Sequence, residues 1–376
     1  MLKVVPRTFS RLLNTVGSKR PPFYEVFPQK KMVNRLLFEL DSRLSFAKLY
    51  PVYENIYNTM DNPSSKEVAT TNITALDMMT MKKVLEKVRH RTKSVNKNLL
   101  ALENEILDRA AEMGDNDAIS LLAYNVLKAP EKNTNEDVKY AKKLIKELYE
   151  LKHPLTIKLA GDLALKKKDY TNAERYYKEF IALEDDTFLA GEVYQQLGII
   201  YFGVPEVAKA EQSFLKSIKL CPIEFVVHSY FYLGQIYMNS EPLKARSLME
   251  GAATEGFRES FKTLGFLEMH YFGELHKAME WFKLGMELFE FECFIGYFDC
   301  SIKLKEWGKA KKCLKSMKLL ADSNQVYESL FKEFVNSRSD RIKKLERYST
   351  NIVADSQQLL KSAAYQAPTQ ENTWNL

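Results

Sequence analysis

Apolar side chains recur in this chain at three- and four-residue intervals, the period of an α-helix with one buried side. Val33, Leu36, Leu37, Leu40 and Leu44 form the first such set. The spacing predicts a helix that Pro51 interrupts and Val52 to Met60 restarts, because proline lacks a backbone donor and crowds the preceding turn. Asp61 to Thr74, DNPSSKEVATTNIT, is polar with a proline and reads as a loop. Helices are predicted at about 75–93 and 96–113, the second with Leu99, Leu102, Ile106, Leu107 and Ala110 on one face. Helical spacing continues to about Tyr348. Beyond it Gln, Ser, Thr and Asn take over, and residues 349–376 are expected to be a polar flexible tail.

Within this run of helices one unit returns several times. One copy of it is Ser260 to Gly285, and the clearest is the third, at Leu197-Gly198-x-x-Tyr201. Leu264-Gly265 and Ala278 put small residues where two helices must approach, Trp281 and Phe282 fill the space beside them, and Gly273 supplies the turn. One such hairpin cannot bury its apolar face alone, so neighbours of the same kind are required. They are present: Leu122-Ala123; Leu159-Ala160-Gly161 with Tyr176-Tyr177; Leu197-Gly198-x-x-Tyr201 with Phe214; and Leu233-Gly234-x-x-Tyr237 with Ala252-Ala253-x-x-Gly256. Cys293 to Met317, with Trp307, Ala310 and Leu314, forms a weaker sixth. The small residues at 123, 160, 198, 234 and 265 are 37, 38, 36 and 31 apart. This fits the tetratricopeptide pattern of ~34 residues, the last interval being nearer its Sel1-like variant. The expected fold is all-α: a right-handed α-solenoid of TPR/Sel1-like helix pairs over 96–348, with an N-terminal helical extension over 23–95.

Composition agrees with this. Only 14 Gly and 12 Pro in 376 residues argue against the many tight turns of an all-β fold. No uninterrupted apolar run approaches the ~18 residues of a membrane-spanning helix. The formal charge of +6 is placed informatively. Lys3, Arg7, Arg11, Lys19 and Arg20 come before the first acid, Glu25, which leaves 50 basic against 49 acidic residues for the rest. A near-neutral body argues against nucleic acid as a partner. Residues 1–22 are basic, acid-free and hydroxyl-bearing, and a helix there would gather Phe9, Leu12, Leu13 and Val16 on one side. That is the pattern of a mitochondrial targeting presequence, the alternatives being a disordered basic tail or a surface-binding amphipathic helix.

Candidate chemistry is sparse. Cys221, Cys293, Cys300 and Cys313 form no C-x-x-C and read as buried apolar side chains in a reducing compartment. No phosphate-binding, dinucleotide-binding or nucleophile-elbow motif occurs, and His270 and His276 do not form H-E-x-x-H. The expectation is a non-enzymatic protein with no cofactor, no metal site and no catalytic residue. What a solenoid offers instead is a curved inner surface lined by the first helix of each pair. In the repeat register its lining is Lys158 and Asp162; Glu192, Gln195 and Ile199; His228, Phe231 and Gln235; and Glu259, Lys262 and Phe266. The mixed lining suits an extended or helical peptide, the alternative being that these residues are merely solvated or covered by the amino-terminal helices. A second functional reading is a helical-repeat protein in mitochondrial RNA handling or translation. It lacks support from a paired code or a basic inner face.

Several strings carry a more specific likeness. They are Phe27-Pro28-Gln29-Lys30-Lys31 with Val33-Asn34, Leu40-Asp41-x-Arg43-Leu44, Gly114-x-Asn116-Asp117-Ala118-Ile119-Ser120 and Leu189-Ala190-Gly191-Glu192-Val193. Ser240-Glu241-Pro242-x-Lys244-Ala245, Phe261 to Glu268, and Glu280-Trp281-Phe282-Lys283 complete the set. Through most of residues 23–315 the chain resembles a family of yeast mitochondrial matrix assembly factors that assist export of the carboxy-terminal tail of cytochrome c oxidase subunit 2. The loop at 61–74 and the tail after Tyr348 stand outside the likeness. The resemblance implies a matrix protein held peripherally on the inner membrane. It implies as partners cytochrome c oxidase subunit 2, the inner-membrane insertase of its tail and a second inner-membrane factor acting with that insertase. It implies no catalytic residues and brings no binding motif.

Overall fold

A computed structural model describes residues 20–60, 73–204 and 206–348, and every regular element among them is helical. Most of the expected targeting presequence, most of the predicted polar loop and the expected polar tail lie outside the described residues. The chain divides into two units, residues 1–185 and 186–376.

In the first unit the helices are α1 (Phe23–Val26), α2 (Lys30–Glu39), α3 (Phe46–Thr59), α4 (Ala75–Thr92), α5 (Lys97–Glu112), α6 (Asn116–Lys128), α7 (Asn135–Glu150), α8 (Pro154–Lys166) and α9 (Tyr170–Leu183). A continuous core runs from Phe23 to Leu148. At its start Phe23, Phe27, Phe46, Tyr50, Tyr53 and Tyr57 pack ring on ring, with Phe23–Phe27 centroids 4.7 Å apart and Phe27–Tyr53 4.9 Å apart. The fully buried Tyr53 donates its hydroxyl to the Met81 carbonyl at 2.8 Å, which ties α3 to α4.

The expected break at Pro51 is corrected. α3 runs through Pro51, and the chain breaks earlier, between α2 and α3. Asp41 adopts a left-handed φ of 49°, and the Ser42 N–H closes on the Leu37 carbonyl, which ends α2. Pro51 costs α3 one backbone bond near its start, while Leu49, Tyr53, Ile56 and Tyr57 stay buried on either side of it. The predicted helices at 75–93 and 96–113 are α4 and α5, each with a side-chain cap. Thr74 and Asp77 form a reciprocal capping box, and Asn96 accepts from Asn98 and Leu99.

The second unit holds α10 (Phe188–Gly203), α11 (Val207–Leu220), α12 (Val227–Tyr237), α13 (Pro242–Thr254), α14 (Arg258–Leu267), α15 (Leu275–Glu287), α16 (Phe291–Lys303), α17 (Trp307–Ser323) and α18 (Gln325–Ser337), followed by helical residues up to 348. Within this unit each helix packs on the next in order, an all-α stack of repeated helix pairs.

One contact recurs through the pairs. A Cβ placed at Gly161 would lie 2.5 Å from the Tyr177 ring, at Gly198 2.5 Å from Phe214, at Gly234 2.6 Å from Met249 and at Gly265 2.4 Å from Phe282. In each case the first helix carries the notch and the second drops a bulky side chain into it. The second copy of the pattern needs a one-residue correction. Gly161 is the buried notch, and Ala160, counted above, is only half-buried. Phe282 is held twice, since a Cβ at Gly296 on α16 would come within 2.3 Å of the same ring. Thiols fill two further notches: Cys221 lies against Gly191, and Cys293 against Gly285.

Turns between helices also repeat. A residue with left-handed φ closes α8 (Lys168, 61°), α15 (Phe289, 61°) and α16 (Lys305, 60°). After each, the next N–H bonds a carbonyl of the last helical turn: Asp169 to Ala164, Glu290 to Gly285, Glu306 to Ser301. α14 differs, running on into one π-helical turn, Glu268–Phe272, that ends on Gly273 at φ 72°.

Because Phe282 is enclosed by two glycines, Gly265→Ala is expected to cost about 1–3 kcal/mol by overpacking, and Phe282→Ala about 3–5 kcal/mol through the cavity it leaves. In the Phe282→Ala background the added methyl group enters empty space, so the two losses will not add. Urea unfolding of the single and double variants checks this, and additive losses would contradict it.

Candidate functional site

The sequence-predicted groove residues fall into separate groups. On α8, Lys158 Nζ lies 3.1 Å from the Asp162 carboxylate, which also accepts from the Tyr177 hydroxyl at 2.7 Å. Burial and the adjacent Asp162 push the Tyr177 phenol far above its ordinary pKa, so it remains a donor. This pair is engaged within the helix hairpin.

On α10, Glu192 and Ile199 are half-buried, but Gln195 is buried and its Oε1 has no hydrogen-bond partner. On α12, Phe231 is buried against Phe257 with ring centroids 4.9 Å apart. Gln195 and Phe231 therefore point into the stack. The register set them facing outward because it could not distinguish the inner surface from the seam with the following pair. His228 packs edge-on against the same Phe257 ring at 4.9 Å, and Gln235 is half-buried one turn beyond Phe231. Glu259 is exposed. Burial lowers the His228 pKa, and the negative charge of Glu259 opposes that shift.

The structure brings Lys262 and Phe266 into a real concavity. A cavity of about 480 Å³ is lined by Met238, Asn239, Lys262, Phe266, Tyr271 and Glu292, among others. Lys262 forms an ion pair with Glu292 along its wall. A second cavity of about 300 Å³ is lined by Phe266, Met269, Asp299, Lys303, Arg338 and Arg341, among others. Phe266 and His270 line both, and their rings stack with centroids 6.0 Å apart and an interplanar angle of 14°.

The π-helical turn explains this wall. It inserts a wider turn after α14, where His270 and Tyr271 are exposed while Glu268 and Met269 are buried. Glu268 is fully buried with Arg246 Nε 2.7 Å away, and burial raises its pKa against the pull of that guanidinium. In the second cavity Asp299 is clasped by Arg338 at 3.1 Å and Arg341 at 2.6 Å.

Glu292 and Asp299 were legible by extension. They lie 33 residues after Glu259 and Phe266, the register of the weaker sixth copy. His270, Tyr271, Arg338 and Arg341 carried no such signal, since they depend on the π-helical turn and on helices beyond the repeats.

Two comparisons with known proteins identify the family, one through an N-terminal segment and one through most of the chain. The MSS2 N-terminal domain family model matches residues 19–115. The mitochondrial protein MSS2 of Saccharomyces cerevisiae is 43% identical over 332 residues, 86% of this chain and 94% of the relative. This chain belongs to the MSS2 family. The MSS2 N-terminal domain spans α1 to α5, so it contains the aromatic cluster, and both cavities lie outside it. That relative is a mitochondrial protein, and membership in its family supports a mitochondrial setting for this chain.

Among solved structures, a type IV pilus biogenesis factor, PilW, aligns with a TM-score of 0.43 at 15% identity, over 57% of this chain and 97% of its own. A signal-transduction ATPase with a tetratricopeptide repeat sensor from Pyrococcus horikoshii aligns at 0.41 and 14%, over 91% and 60%. Both scores are low, and the fold rests on the helix packing itself.

The His228 shift has a direction that can be tested. A native pKa below the ordinary ~6.5 means that the unfolded chain takes up the proton first, so stability falls as pH drops through about 6.5. Below the depressed native value both states are charged and the loss stops growing. Urea unfolding at about pH 7.5 and about pH 5.5 will show a smaller difference for His228→Gln than for the unsubstituted protein.

Proposed function

We propose that this protein is a non-enzymatic assembly factor for cytochrome c oxidase that binds the carboxy-terminal tail of subunit 2 on the matrix side of the inner membrane and assists its translocation. In this reading it works with the inner-membrane insertase and an associated inner-membrane factor, and attaches peripherally to the membrane from the matrix.

The observation that carries the reading is the cavity beside Phe266. A peptide side chain can enter a mostly apolar recess there, while Lys262, Glu292 and Asn239 offer polar contacts at its rim. Family membership supports the mitochondrial setting. The recess is formed by the turn that follows α12, by α14 and the π-helical turn, and by Glu292 of α16, so most of its wall is held by helical elements and its shape costs little to organise on binding. An adaptor of this kind needs no chemistry of its own. Holding a tail beside the translocation machinery replaces a bimolecular encounter with a local one at up to roughly millimolar effective concentration.

Tyr271 is exposed at this rim, so Tyr271→Ala leaves the core intact, and Lys262→Gln removes the ion pair with Glu292. The double variant is expected to bind a fluorescent peptide of the subunit 2 tail about tenfold or more weakly. It should also crosslink correspondingly less to subunit 2 after import into mitochondria. Unchanged affinity, or no binding by the unsubstituted protein, would overturn the reading.

A further inference from the structure

The near-neutral charge of the body conceals an uneven distribution. Residues 303–348 hold 13 Lys and Arg against 6 Asp and Glu, while the whole chain holds 55 against 49. The excess is concentrated on α17. Lys311, Lys312, Lys315 and Lys318 are all exposed there, and none has an ion-pair partner among the described residues. Lys311, Lys312 and Lys315 lie on the side of α17 away from its buried residues Ala310, Cys313, Met317 and Ala321, and Lys318 lies on its flank.

Two exposed lysines on other helices show the contrast. Lys178 pairs with Glu174, and Lys332 with Glu328, each one turn away. On α17 the positions one turn from Lys311, Lys312 and Lys315 hold lysine, leucine, serine, glycine or tryptophan, never an acid. The stripe therefore repels itself, and like charges at this spacing destabilise a helix.

Two further features lie on or beside this face. Leu319, 62% exposed, sits one turn from Lys315 and two from Lys312. At the start of α17, Trp307 stacks on Tyr348 with centroids 4.4 Å apart and lies under the Lys344 ammonium, 5.9 Å from its centroid. This contact brings Lys343 and Lys344 of the last helical residues to the same end of α17.

We infer that the face of α17 built by Lys311, Lys312, Lys315 and Leu319 docks on the surface of an anionic phospholipid bilayer. The inference deepens the proposed peripheral attachment and rests on it, since it names the surface and the lipid chemistry responsible. The ammonium groups meet headgroup phosphates and relieve their mutual repulsion. The aliphatic lysine stems and Leu319 reach the boundary between headgroups and acyl chains, where an apolar side chain among cations is favoured. Single-stranded nucleic acid fits the face less well. Its bases need free aromatic faces to stack on, whereas Trp307 and Tyr348 cover one another.

The test is vesicle co-sedimentation of the full chain. Vesicles of phosphatidylcholine alone are compared with vesicles containing about 30% phosphatidylglycerol, a fraction high enough to give a negative surface potential. The unsubstituted protein should bind the anionic vesicles at least about tenfold better than the neutral ones, and added salt should weaken it. Replacing Lys311, Lys312 and Lys315 by Glu and Leu319 by Gln should remove at least about tenfold of that binding, while the triple Lys→Arg variant retains it. Arg7→Gln with Arg11→Gln in the leader controls for the other basic segment and should leave most binding in place.

Unchanged binding by the α17 variant, or loss confined to the leader variant, would overturn the inference. Tighter binding of a single-stranded RNA oligonucleotide than of anionic vesicles, abolished by the same α17 substitutions, would assign the face to nucleic acid instead. The Lys262→Gln, Tyr271→Ala variant separates the two proposals. If it binds vesicles normally while no protein captures the subunit 2 tail, the adaptor reading fails and the lipid face stands.

Discussion

The structure depends on how closely two helices can approach when one of them lacks a side chain. Gly161, Gly198, Gly234 and Gly265 each sit where a Cβ would meet a ring or a thioether at 2.4 to 2.6 Å. Glycine is an expensive helix residue, so its placement within four first helices is informative. The cost is offset by burying Tyr177, Phe214, Met249 and Phe282 almost completely. Each hairpin is thus a notch and a plug. The larger-scale stacking follows from repeating that fit with a new sequence on the outside.

Most of this was legible in the chain. The notch positions recur at nearly constant spacing, and the bulky partner follows 15 to 17 residues later, as from Gly234 to Met249 and from Gly265 to Phe282. The errors have physical causes. Pro51 looked like a break because local propensity was read without the tertiary burial of Leu49, Tyr53 and Ile56 around it. Ala160 was taken for the notch because two small residues stand side by side, and a shift of one residue rotates a helix by about 100°. Gln195 and Phe231 were assigned to an open face for the same kind of reason. Periodicity reports that a position is off the main core, but it cannot say whether the next hairpin covers it.

The cavities were harder to foresee. They owe their wall to the π-helical turn after α14, where an added residue per turn moves His270 and Tyr271 outward and Glu268 inward. Nothing in the local sequence announces such a turn. The basic face of α17 was missed for a different reason. A net charge sums over the whole chain, so an excess in one helix was cancelled by acids elsewhere. Partner recognition depends on which charges share a surface, and on whether their neighbours already neutralise them.

The cysteines extend the same logic to redox chemistry. Cys221 and Cys293 fit against Gly191 and Gly285, and burial pushes their thiols up to about 11 and about 12. Few of these sulfurs are thiolate at neutral pH, so they react slowly with peroxide. A respiratory compartment can therefore surround this protein with oxidants while its cysteines stay silent. Should a sulfenic acid form, it would act as a wedge, prising apart the helices that the missing side chain allowed to meet.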